Sequence, residues 1–151
     1  MATLSLRQRA LYLLANREHS RLELFNKLKQ RDFSVEEINI TLDELEQEKL
    51  LSDERFVEMY INARSQRGYG PERIRQELQQ KGVAASLVEC YLDIKATDWF
   101  DLARELKQKK FGAALPKDFP TRAKQMRFLQ YRGFTLEQIN NMFKISPEIE
   151  K

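Results

Sequence analysis

A chain of 151 residues that is 42% hydrophobic and 32% charged can bury a core, yet it holds no run apolar and long enough to span a bilayer. Its opening residues, Met1-Ala2-Thr3-Leu4-Ser5-Leu6-Arg7, lack the apolar stretch and small-residue cleavage site of a secretory leader, so a cytoplasmic setting is expected. The one cysteine, Cys90, excludes an intramolecular disulfide and a multi-cysteine metal site, and the net charge of +3 conceals a strong segregation of charge.

Nearly every segment carries helical spacing. A first helix is expected over residues 4–17, with Ala10, Leu11, Leu13 and Leu14 on one stripe. Ser20 with Glu23 and Ser34 with Glu37 are capping-box pairs, each offering a hydroxyl and a carboxylate to the unpaired N–H groups of a first turn. They bracket a short second helix. A long amphipathic helix then runs from Ser52-Asp53 through Phe56, Met59, Tyr60 and Ala63 toward Arg67, and stops at Gly68-Tyr69-Gly70-Pro71. Pro71 suits a first helical position, where its missing N–H had no partner to lose. Further helices are expected over 71–81 and 85–94, with Ile74 and Leu78 on one face of the former. The last stretch reads as helices over 97–110, 121–132 and 136–144, with a loop at 112–120, a third capping box at Thr135 and Gln138, and a disordered tail at 146–151.

One short pattern occurs three times: Arg31-Asp32-Phe33-Ser34, Lys81-Gly82-Val83-Ala84 and Arg132-Gly133-Phe134-Thr135, at offsets of 50 and 51. The alignment superposes Leu28, Leu78 and Leu129, then Ile38, Val88 and Ile139, then Leu42, Leu92 and Phe143. A period of this length marks an array of supersecondary units, each too small to bury its own core. The expected fold is therefore all-α: three tandem three-helix repeats at 1–51, 52–95 and 96–145, helix-turn-helix-like in their second and third helices, in an elongated or crescent arrangement. Gly82 and Gly133 suit a left-handed helix C-cap, and Asp32, at the equivalent place, is expected to tolerate the same conformation. Phe25, Phe33, Phe56, Tyr91, Trp99, Phe100, Phe128 and Phe143 are expected to pack the core, and Cys90 to be a small packed residue.

Charge is uneven along the chain. Residues 34–51 hold Glu36, Glu37, Asp43, Glu44, Glu46 and Glu48 against Lys49, whereas 104–132 hold nine Lys or Arg against Glu105 and Asp118. Residues 64–81 are basic as well, with Arg64, Arg67, Arg73, Arg75 and Lys81 against Glu72 and Glu77. Such patterning suits solvated helix surfaces, or one face for a polyanion or acidic partner. Within 71–81, Arg73, Glu77 and Lys81 form an i, i+4 ladder and Glu72 meets Arg75 at i, i+3. Arg64 and Arg67 have no acidic neighbour at helical spacing and are the first candidates for partner contact. Tyr69, in its glycine-flanked turn beside them, suits exposed recognition as well as packing. Lys107, Lys109, Lys110, Arg122, Lys124 and Arg127, with Arg132, form a second candidate surface whose phosphate attraction would fall steeply with salt.

No enzyme is expected. His19, the only histidine, precedes the Ser20 cap and reads as a turn residue; there is no phosphate-binding glycine loop, no metal-ligand spacing, and no nucleophile beside an evident base. No cofactor is implied.

Three segments carry a resemblance: Leu51-Ser52-Asp53-Glu54-Arg55-Phe56, then Arg64-Ser65-Gln66-Arg67-Gly68-Tyr69-Gly70-Pro71, then Ile74-Arg75-Gln76-Glu77-Leu78 ending at Lys81-Gly82. Together they resemble the central block of the RecX family of bacterial recombination regulators, closely over residues 50–83 and more weakly along nearly the whole chain. The resemblance implies a cytoplasmic protein of tandem three-helix repeats that binds the RecA filament in its helical groove and most often inhibits its ATPase and strand exchange. It departs from the pattern in the third unit, which has Phe111-Gly112-Ala113-Ala114-Leu115-Pro116 where the centre has Gly68-Tyr69-Gly70-Pro71. The expected partners are the RecA filament and, through it, single-stranded or duplex DNA, with the chain acting as a monomer and touching several subunits at once. A helix-turn-helix DNA-binding protein and a passive helical scaffold are the alternatives.

Overall fold

A computed structural model describes residues 4–148. Among them it places α1 (Leu6–Asn16), α2 (Arg21–Lys29), α3 (Val35–Gln47), α4 (Asp53–Gln66), α5 (Pro71–Gln80), α6 (Ala85–Ile94), α7 (Asp98–Phe111), α8 (Phe119–Tyr131) and α9 (Leu136–Glu148), and no strand. None of these helices is long and apolar enough to cross a membrane. Helices of this length are marginal in water, so burial of one stripe must hold them. The aligned positions supply that stripe: Leu28, Leu78 and Leu129 are fully buried, and Ile38, Val88, Ile139, Leu42, Leu92 and Phe143 are at most 4% exposed. The chain divides into two compact units, Met1–Tyr60 with Leu78–Val88, and Ile61–Glu77 with Glu89–Lys151.

In the first unit α1, α2 and α3 pack on one another around Ala10, Leu24, Leu28, Ile38, Leu42, Leu45 and Leu51. The box at Ser34 is complete, with Ser34 Oγ accepting from Glu37 N at 3.1 Å and Glu37 Oε1 accepting from Ser34 N at 2.9 Å. Ser5 and Gln8 form another at the start of α1, two residues later than the expected helix start. The box at Ser20 is only half made. Its hydroxyl accepts from Glu23 N at 3.1 Å and donates to Lys81 O at 2.8 Å. The Glu23 carboxylate turns instead to Arg17 at 2.7 Å and Lys81 at 3.4 Å. Burial alone would raise that carboxyl, but the two cations outweigh it and bring its pKa down to about 2. His19, 1% exposed, lies with Nδ1 3.0 Å from Arg17 O and Nε2 2.9 Å from Lys27 Nζ, and burial lowers its pKa.

Asp32 does not adopt the left-handed conformation expected of it. The one non-glycine residue with positive φ among those described is Lys49, at 63°. There the end of α3 closes with Lys49 N on Glu46 O at 3.0 Å and Leu50 N on Leu45 O at 2.9 Å, a Schellman turn made without glycine. Gly82 is left-handed as expected, at 75°, and a Cβ on it would come within 2.6 Å of Leu22 Cδ2.

In the second unit α7 packs on α8 and α9, with Trp99, Ala103, Leu129, Phe134 and Ile139 buried. The Trp99 indole N–H donates to Leu92 O at 3.2 Å, which satisfies its one polar atom inside the core. The Thr135–Gln138 box is complete, at 3.1 and 3.0 Å. Helix α8 begins at Phe119, two residues before the expected start, because Asp118 caps it by accepting from Thr121 N at 3.1 Å and Pro120 falls in the first turn. Helix α9 reaches Glu148; of the tail expected at 146–151, the residues from 149 on lie outside the described part. Cys90 is exposed, against the expectation of packing, because it faces away from the buried pair Val88 and Leu92 on its own helix.

Candidate partner surface

The turn between α4 and α5 organises a group of arginines in the second unit. Helix α4 ends in a Schellman turn, with Gly68 N on Ser65 O at 3.0 Å and Tyr69 N on Arg64 O at 3.2 Å, and Gly68 takes φ 88°. The next residues dock on the turn that ends α8. Gly70 N donates to Arg132 O at 2.7 Å and Glu72 N to Gly133 O at 2.9 Å. The approach is backbone against backbone. A Cβ on Gly70 would lie 2.6 Å from the Gly133 carbonyl, and one on Gly133 would lie 2.4 Å from Arg73 Cβ. The Gly-Tyr-Gly-Pro motif is thus explained by geometry: one glycine for φ, one for room, and a proline whose absent N–H costs nothing.

This lock holds Tyr69 among three guanidinium groups. Arg64, Arg73 and Arg132 stand 4.1, 4.6 and 4.8 Å from the centre of its ring. Each such contact contributes roughly 0.5–1 kcal/mol where solvent reaches it. Glu77 is the carboxylate that Arg64 and Arg73 share. Arg64 meets it through Nε and Nη2, both at 2.9 Å, and Arg73 through Nε at 3.2 Å. The Glu77 hydrogen bond raises the Arg73 pKa further above its ordinary value. Arg64 therefore has an acidic partner, contrary to expectation; Glu77 is thirteen positions along the chain, outside helical spacing. Arg132 Nη1 donates to Arg67 O at 3.2 Å, and the Arg67 side chain is exposed with no ion pair among the described residues. A cleft of about 110 Å³ between α4 and α7 has both Arg67 and Lys109 on its wall, joining residues that the sequence assigned to separate surfaces.

The chain matches family models along its length: RecX, first three-helix domain, over residues 7–45; RecX, second three-helix domain, over 52–92; and RecX, third three-helix domain, over 96–142. It is similar to the regulatory protein RecX of Ectopseudomonas mendocina, 43% identical over 141 residues that cover 93% of this chain and 94% of that one. The chain belongs to the RecX family. The regulatory protein RecX of Pseudomonas savastanoi pv. phaseolicola is 45% identical over 138 residues, 91% of this chain and 89% of that one. The crystal structure of RecX from Lactobacillus salivarius superposes with a TM-score of 0.79 at 19% identity, covering 92% of each chain, which shows a shared fold. Both of these relatives are named regulatory proteins, and no group of three metal-ligating side chains occurs among the described residues.

The remaining candidates of this RecX-family chain fall into distinct environments. Arg75 is neutralised, between Glu72 at 2.8 Å and Glu89, whose carboxyl it holds below the ordinary range. The Arg73–Glu77 half of the expected ladder forms, but Lys81 pairs with Glu23 in the first unit. Lys107 is 2% exposed and donates to Gly112 O at 2.7 Å and Ala114 O at 2.6 Å. It ties down the turn after α7, with burial lowering its pKa, and offers no ammonium to a partner. Lys109, Lys110, Lys124 and Arg127 are exposed; Lys110 lies 5.3 Å from the Phe128 ring and Arg122 4.6 Å from the Phe143 ring. Sequence reasoning passed over Tyr131, 73% exposed, with Arg73 5.3 Å from its ring. Its place one residue before the repeated Arg132-Gly133 turn was the available signal.

Proposed function

We propose that this chain regulates homologous recombination in the cytoplasm by binding the RecA nucleoprotein filament in its groove and lowering its ATPase and strand-exchange activity. The observation that carries this reading is the charge of the Tyr69 cluster: three guanidinium groups stand around one ring, Arg64 and Arg73 meet Glu77 while Arg132 bonds backbone carbonyls, and Arg67 adds a fourth cation beside them. Membership of a family of regulatory proteins agrees with it. Guanidinium groups in that density suit the carboxylates of a protein lattice or the phosphates of the DNA it carries. A monomer with further cations at Lys109, Lys110, Lys124 and Arg127 can touch neighbouring protomers together, so that weak contacts add up.

Sequence-specific duplex reading has less support. A recognition helix inserts its first turn in the major groove, and α3, α6 and α9 open with Val35-Glu36-Glu37, Ala85-Ser86-Leu87 and Leu136-Glu137-Gln138, none of them basic. The test is ATP hydrolysis by RecA on single-stranded DNA. Substoichiometric protein should suppress it, and an unchanged rate at saturating protein would overturn the proposal.

A further inference from the structure

The same cluster ends in an aromatic ring that the core does not use. Tyr131, the last residue of α8, is 73% exposed and stands beside Arg73, whose Nη1 also donates to its carbonyl oxygen at 3.4 Å. Arg132 follows it, with Nη1 on the carbonyls of Arg67 and Gly68 and its Nε and Nη2 without a hydrogen-bond partner among the described residues. An open ring bordered by one guanidinium, that of Arg73, with a second that has spare donors on the next residue, is a combination that holds a base by its face and the adjoining backbone by its phosphates.

We propose that Tyr131 is a base-stacking platform and that Arg67, Arg73 and Arg132 hold the flanking phosphates of single-stranded nucleic acid, which this chain binds without RecA. The inference rests on the cluster assigned above and names a ligand for it. A single strand is required, not a duplex, because stacking needs a base whose face is free. A purely acidic protein partner would engage the arginines but leave the exposed ring without a role. The lock between the Gly70 and Gly133 turns fixes the backbone on which all four side chains stand, so ordering the site adds little entropy cost on binding.

The test is fluorescence anisotropy of a labelled oligodeoxythymidylate, with the matching duplex and oligoglutamate as competitors and no RecA present. Tyr131→Ala should weaken single-strand binding about tenfold, and Tyr131→Phe, which keeps the ring face, should bind as the parent does. The exposure of Tyr131 makes both variants compatible with folding, and far-ultraviolet circular dichroism checks this. Equal affinity of the alanine variant, or competition by duplex or oligoglutamate as strong as by single strand, overturns the inference. RecA ATPase measured on the same variants separates the two readings. Suppression retained by Tyr131→Ala despite unchanged strand affinity rejects the stacking site alone, whereas strand binding by a parent protein that leaves the ATPase untouched rejects filament regulation alone.

Discussion

Gly133 and Arg73 touch where no side chain fits between them: a Cβ on Gly133 would lie 2.4 Å from Arg73 Cβ and 2.7 Å from Arg73 N. Gly133 also has φ 101°, so an added side chain meets both strain and collision. Gly112 also has positive φ, 91°, with ψ 170°, but nothing lies within 4 Å of its virtual Cβ.

The pair separates conformational strain from close approach. Gly112→Ala should cost about 1–3 kcal/mol, the strain of an L-residue at positive φ with extended ψ. Gly133→Ala should cost roughly 1–3 kcal/mol more, through overpacking against α5. Urea denaturation of both variants measures the difference, and equal losses would mean that the turn can move aside.

Charge at Glu23 makes stability depend on acid. Its carboxyl is held near 2 in the folded chain against an ordinary 4.5, so it favours folding above the ordinary value and loses that contribution as pH falls through the window between them. Neutral, buried His19 acts in the same direction at higher pH, because its folded pKa lies below the ordinary 6.5. Glu23→Gln should flatten the stability profile from about pH 4.5 down to about 2. A variant profile parallel to the parent's in that range would show that the Arg17 and Lys81 contacts contribute nothing.

Salt dependence should distinguish an exposed cation from a buried one. Removing one phosphate contact lowers the slope of log affinity against log salt by about 0.7–0.9. Arg67→Ala should show a loss of that size in filament binding, and Lys107→Met none, since the Lys107 ammonium is spent on Gly112 O and Ala114 O. A reduced slope for the Lys107 variant would place that ammonium in contact with the partner.

Cys90 is exposed on α6 and should react with a thiol reagent in the folded state at the rate of a surface cysteine. Reaction only after addition of denaturant would restore the packed position that its neighbours suggested.

Local pattern made the helices and the core legible. Leu28, Leu78 and Leu129 align by sequence and are all fully buried, and the boxes at Ser34 and Thr135 form as their residue types require. What escaped depends on neighbours far along the chain. Arg64 looked unpaired because Glu77 is beyond helical reach, and Ser20 looked like a full box because nothing local reveals that Arg17 and Lys81 claim Glu23. Asp32 and Lys49 show the limit of composition at a helix end: the left-handed residue expected at Asp32 after α2 does not occur, and one occurs at Lys49 after α3, where no glycine or aspartate announced it. Within the candidate surface, the basic residues were visible as a list, but the grouping of Arg132 with Arg64 and Arg73 came from the docking of two glycine turns.

That docking also sets an order of events during biosynthesis. Arg73 and Tyr131 are 58 positions apart, so the Tyr69 surface has no second wall until the ribosome has released the segment that carries Tyr131. A message cut short between those two positions would carry Tyr69 and Arg73 without the ring and the turn that complete this surface, which makes translation of the α8 segment a condition for its assembly.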